Sequence, residues 1–113
     1  MNEESMGILI IDHPSYLDTN SIINNIKENV SNGIKVFIYL LDEGVYFLQP
    51  EYWNSLEKIE SVVYACGFGA KKYQVPFRDD VIFASLFTLA QLIKSCTYFI
   101  AFQADASENI NFH

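Results

Sequence analysis

"MGILIID", residues 6–12, is an unbroken apolar run closed by an acid. A strand with one face in water alternates apolar and polar residues. A run without alternation suits a strand buried on both faces, as parallel sheets require. The same kind of segment recurs along the chain. "IKVFIYLLDEG" (34–44) reads as a second buried strand with its exit turn, and "SVVYAC" (61–66) as a third. "VIFAS" (81–85) supplies a short fourth, and "TYFIAF" (97–102) is the last.

Helical patterns lie between these runs. "HPSYLDTN" is a loop, because Pro14 disfavours helix at His13. Leu17, Ile22, Ile23, Ile26 and Val30 then recur at helical spacing, and Ser31, Asn32 and Gly33 supply the stop. "PEYWNSLEKIE" predicts a short helix with Pro50 in its first turn and acids early. In "SLFTLAQLIKSC", Leu86, Leu89, Ala90 and Ile93 are expected to share a face, with Ser85 as N-cap. Strand, helix, strand at this spacing is the βαβ pattern, whose crossovers are right-handed. The expected fold is a three-layer α/β/α sandwich around a mainly parallel sheet of about five strands. The expected organisation is one domain over residues 1–113, with 1–5 and 104–113 as flexible or interface tails.

Composition narrows the function classes. Half of the 113 residues are hydrophobic and 15% are aromatic, which suits a packed core rather than a disordered chain. Fourteen acids against 7 bases give a net charge of −7. That balance argues against nucleic acid, whose phosphates call for clustered Lys and Arg, and against an anionic membrane surface. No apolar run reaches the roughly 20 residues that span a bilayer, and "MNEESMG" is acidic where a signal peptide would be basic. The expectation is a cytoplasmic protein with reduced thiols.

In open α/β sheets, ligands meet the carboxyl ends of the strands. The residues there are Asp12, His13 and Pro14, then Asp42 to Tyr46, then Cys66 to Gly69, then Phe102 onward. Cys66 ends a predicted strand in "VVYACGFGAKKY". A thiol reacts as its thiolate, which cations and helix N-termini favour. Gly67 and Gly69 are expected to expose backbone N–H groups in a tight turn able to hold an anion, with Lys71 and Lys72 adding positive charge. The competing reading is a core cysteine, since free Cys is among the most buried residue types. Local chemistry leaves the two open.

The other candidates read as structure. Cys96 has little basic or glycine-rich company, and packing is its favoured role. A Cys66–Cys96 redox pair is disfavoured, because a helix C-terminus and a strand C-terminus lie at opposite ends of a sheet. His13 is favoured as a loop residue. No Cys-x-x-Cys or His-x-x-x-His spacing supports a metal site, no nucleotide-binding glycine motif is present, and no cofactor is expected. "DEGVY" (42–46) alone reads as a turn with Gly44 at a special backbone angle. The aromatic load is core, with part of it exposed on one monomer and covered in an oligomer.

In order, these pieces resemble the DsrE/DsrF-like sulfur-relay family, which includes the TusBCD and YchN-like proteins. The match rests on Pro14-Ser15-Tyr16 after the first strand and on the acid-Gly-Val-Tyr turn (Glu43, Gly44, Val45, Tyr46). It continues with a third strand ending in Cys66, with Ala70 and the basic Lys72 at their spacing, and with the closing "SLFTLAQLIKSCTYFIAF". The resemblance implies an intracellular sulfur carrier or sulfurtransferase subunit, whose Cys66 takes a persulfide sulfur from a donor protein and passes it to an acceptor. Gly44 and Tyr46 would line its pocket. Lys72 stands where the family usually has arginine, keeping the charge without the planar fork. The resemblance also implies a homo-oligomer, trimer or hexamer, or paralogous subunits. The alternative function is a non-catalytic oligomeric binding or scaffold protein of the same fold. A third reading is redox sensing through oxidation of Cys66.

Overall fold

A computed structural model describes residues 4–104 and 110–111. Five parallel strands form the sheet: β1 (Ser5–Ile10), β2 (Lys35–Leu40), β3 (Val62–Cys66), β4 (Ile82–Ala84) and β5 (Tyr98–Phe102). A two-residue strand, β6 (Ile110–Asn111), pairs antiparallel with β5. The order across the sheet is β4-β3-β2-β1-β5-β6. Among the described residues there are four α-helices, α1 (Thr19–Ser31), α2 (Pro50–Leu56), α3 (Gly67–Lys72) and α4 (Leu86–Ser95), and two 3-10 helices, Pro14–Tyr16 and Asp42–Leu48.

The unbroken apolar runs are explained by burial on both faces. Met6, Ile8 and Ile10 of β1 share one core with Val36, Ile38 and Leu40 of β2 and with α1, α2 and α3. Leu9, Tyr39, Phe99 and Ala101 point the other way, into a second core beneath Leu89 and Leu92 of α4. Each fully buried aliphatic or aromatic side chain contributes roughly 1.5–3 kcal/mol, so the two cores dominate stability. Helices on both faces of the sheet make the three-layer sandwich that the sequence predicts.

Topology decides which helix covers which face. The steps β1 to β2, β2 to β3 and β3 to β4 all run the same way along the sheet, and their helices share the first core. The return from β4 to β5 runs the opposite way and places α4 on the other face. A single crossover hand demands that inversion. One face therefore carries three helices and the other carries α4.

Local signals set the helix ends. Asp18 caps α1 by accepting from the Ser21 N–H (3.0 Å), and Gly33, at φ +81°, provides the left-handed stop. Ser85 occupies the N-cap position of α4 without a side-chain capping bond. The buried side of α4 is Leu89, Leu92 and Cys96, whereas Leu86 and Ala90, expected on that face, are exposed. Thr88, Gln91, Lys94 and Ser95 form the polar face of α4, and its apolar stripe is wider than the strip the sheet buries, so periodicity does not fix the rotation. Contact with Leu9, Tyr39 and Phe99 does. The segment after β3 also departs from expectation: residues 67–72 form α3 and not a tight turn. Ser5, assigned above to a tail, begins β1, and Ile110–Asn111, assigned to the other tail, form β6. Residues 1–3, 105–109 and 112–113 lie outside the described residues.

Asp42 to Leu48 wind into a 3-10 helix that packs over the ends of β1 and β2. A Cβ added at Gly44 would lie 2.0 Å from the Ile10 carbonyl oxygen, a backbone atom with no room to yield. Gly44→Ala is therefore expected to destabilise by roughly 1–3 kcal/mol, as overpacking does, read as a lower urea midpoint. Gly67→Ala, where the nearest atom would be 3.9 Å away, is the control and should leave the midpoint nearly unchanged. Equal midpoints for the two variants would contradict this packing.

Candidate functional site

Cys66 is the last residue of β3 and the N-cap of α3. Its Sγ accepts from the Gly69 N–H at 3.4 Å. The glycines at 67 and 69 thus serve the first turn of a short helix, not a free anion-binding turn. Gly69 also packs against the 3-10 helix, where a Cβ would touch Val45 at 3.4 Å.

The thiol is half-buried at an open cleft of about 740 Å³. Leu41 and Asp42, after β2, form one wall. Phe68 and Lys72 of α3 form a second, and Phe83 to Leu86, from β4 into α4, form the third. Phe83 is braced from outside by Phe77, stacked at 4.2 Å between ring centroids. Beneath the site, the buried Tyr39 hydroxyl donates to the Ala84 carbonyl at 2.9 Å, and Ala84 is the register partner of Cys66. Burial, with a smaller contribution from Cys66, pushes the Tyr39 phenol up to about 12.

The sequence-predicted residues divide into two groups. Cys66, Gly67, Gly69 and Lys72 all line the cleft. Lys71 is exposed on α3 and is not among the lining residues. Gly44 and Tyr46 do not line it either; their turn reaches the cleft through Leu41 and Asp42. Gly44 is buried against the end of β1, and Tyr46 faces His13 at 4.5 Å and Tyr73 at 5.3 Å between ring centroids. His13 Nδ1 accepts from the Ser15 N–H at 3.0 Å, the loop role expected of it.

Tyr73 links the two groups. Its hydroxyl donates to Asp42 Oδ1 at 2.7 Å, fastening the C-terminus of α3 to a cleft wall. Asp42 sits at φ +51°, a left-handed conformation that aspartate tolerates better than most residues. Sequence reasoning did not find this pair, because 31 positions separate the partners. The cleft's apolar walls, Phe68, Phe83 and Leu86, were also missed; the signal available was a run of aromatics flanking the cysteine segment.

Cys96 is buried at the C-cap of α4, beside the amino ends of β1 and β2. Burial pushes its thiol up, with a hydrogen bond to Ser5 opposing. It belongs to the second core, at the end of the sheet away from Cys66, and both cysteines are free. The crevice between β1 and β5, where the strand order reverses, is tied by Ala104 N–H donating to Asp12 Oδ2 at 2.8 Å. Among the described residues no group of three or more His, Cys, Asp or Glu could hold a metal ion, and no helix is long and apolar enough to cross a membrane. No family model matches the chain, and no curated protein does.

The Tyr73–Asp42 bond has a pH signature. Accepting by Asp42 pushes the Tyr73 phenol from 10.0 up to about 12. A folded-state value above the unfolded one stabilises fully below pH 10 and is lost as pH rises through about 12. Tyr39 contributes with the same sign, so the difference between wild type and Tyr73→Phe isolates the bond. Urea midpoints of the two proteins should lie farthest apart below pH 10 and converge near pH 12. A constant separation across that window would contradict the bond.

Proposed function

We propose that this protein carries sulfane sulfur on Cys66. One observation supports the reading above the others: the only half-exposed thiol among the described residues sits at a strand-to-helix junction, accepts a backbone N–H, and opens onto a cleft that also holds Lys72. The order of motifs that resembles the DsrE/DsrF-like sulfur-relay family supports it from the sequence side.

The chemistry follows from thiol exchange. The Cys66 thiolate attacks the outer sulfur of a donor persulfide, and the donor leaves as a thiolate. An acceptor thiolate then attacks that same outer sulfur and frees Cys66. The Gly69 N–H faces the sulfur, and the Lys72 ammonium, 5.1 Å from the Tyr73 ring centroid, lines the same cleft and adds positive charge to it. Lys72 would hold an anionic partner as a point charge, without a bidentate grip. Donor and acceptor proteins are the partners of this reading, and its setting is the cytoplasm.

Assembly is part of the proposal. Ile82 on edge strand β4, Phe77 against it and Phe87 at the start of α4 are exposed, and an uncovered apolar edge strand invites pairing. We take this edge as the surface that further copies of the chain, or paralogous subunits, cover in a trimer or hexamer. The same surface favours the second reading, an oligomeric scaffold in which Cys66 only packs.

Incubation with a persulfide donor and intact mass measurement separates the readings. A gain of about 32 Da, one sulfur atom, is expected on wild type and Cys96→Ser and absent from Cys66→Ser. No gain with any donor, or a gain that survives Cys66→Ser, would overturn the carrier reading.

A further inference from the structure

The walls of the Cys66 cleft say what kind of molecule they fit. Leu41, Phe68, Phe83 and Leu86 give an apolar lining, and about 740 Å³ is the volume of a site for a small organic molecule. Among the described lining residues Lys72 is the one cation and Asp42 the one acid. Asp42 is already engaged by the Tyr73 hydroxyl. The chain as a whole carries a net charge of −7. A small inorganic sulfur anion needs several cations or N–H donors to replace its hydration, and a polar peptide persulfide brings carboxylates that these walls leave unpaired.

We infer that the cleft takes an apolar organic sulfur compound: an aromatic or branched carbon body against Phe68, Phe83 and Leu86, with a single anionic end at Lys72. As to chemistry, the inference rests on the sulfur-carrier reading; as to ligand class, it rests on the cleft alone. Beside donor proteins, the cleft then admits a small-molecule donor, an apolar persulfide, R–S–SH. Cys66 Sγ, as thiolate, bonds to the outer sulfur while the donor's S–S bond breaks. The proton stays on the transferred sulfur and the donor departs as R–S⁻. Cys66 is oxidised to the persulfide and the donor is reduced to a thiol, with no further oxidant. Phe68 and Leu86 determine specificity without touching the bonds that change.

Two arms test this on the full chain. In the binding arm, unreactive phenylmethanesulfonate and methanesulfonate compete with iodoacetamide for access to Cys66. The phenyl compound should protect Cys66 at a concentration at least about tenfold lower, the worth of burying one ring. Leu86→Asp and Phe68→Asp, both at exposed positions, should each abolish that advantage. Equal protection by the two sulfonates, protection by neither, or an advantage untouched by both variants would overturn the ligand class. In the transfer arm, benzyl persulfide should add about 32 Da to Cys66 at least about tenfold faster than glutathione persulfide or thiosulfate. Comparable rates from the polar donors would overturn the inference and leave the carrier reading standing. No sulfur addition from any donor, with phenyl-selective protection intact, would overturn the carrier reading and leave the ligand class standing.

Discussion

Gly44 lies so close to the end of β1 that any side chain there would meet the Ile10 carbonyl. Its N–H donates to the Ile11 and Leu41 carbonyls (both 2.9 Å), while the Leu41 N–H donates to Ile10 (2.9 Å). These bonds seat the 3-10 helix of residues 42–48 across the carboxyl ends of the two central strands. From that seat Asp42 reaches the cleft and Tyr73, while Tyr46 packs between Tyr73 and His13. Val45 meets Gly69, so the position of α3, and with it the amide that faces Cys66 Sγ, depends on the same seat.

The cleft itself is a consequence of crossover geometry. Three helices crowd one face because three successive connections step the same way. The return connection leaves α4 to cover the opposite face, and α4 begins where β4 ends. The carboxyl ends of β2, β3 and β4 are therefore roofed by the 3-10 helix, the start of α3 and the start of α4. Between those two starts lies the opening over Cys66. At the opposite end of the sheet Cys96 borders a crevice of about 750 Å³, but its side chain is buried in the second core where α4 ends. Two cysteines in one chain thus face opposite fates because one ends a strand and the other ends a helix.

Much of the architecture is legible in sequence because burial on both sheet faces forces unbroken apolar runs. Residues 6–10, 36–40 and 98–102 declare themselves this way, and Gly33 marks the end of α1. Two features resist such reading. Gly-Phe-Gly after Cys66 has poor intrinsic helix propensity, and only packing of Gly69 and Ala70 against the 3-10 helix and the core makes residues 67–72 helical. The rotation of α4 is likewise set by what it packs on. At the site, Cys66 and Lys72 are close in sequence and were legible as neighbours. The Tyr73–Asp42 bond and the approach of Phe83 and Leu86 join distant segments, which no local pattern encodes. Tyr46, expected at the thiol, packs between His13 and Tyr73 and does not line the cleft.

The central claim is that strand-end placement makes Cys66 an accessible, reactive thiol while Cys96 is a packing residue. Alkylation of the native protein with iodoacetamide, mapped by peptide mass, tests it most directly. The account predicts rapid labelling of Cys66 and labelling of Cys96 only on unfolding. Protection of Cys66 in the native state, or labelling of Cys96 at an equal rate, would contradict it.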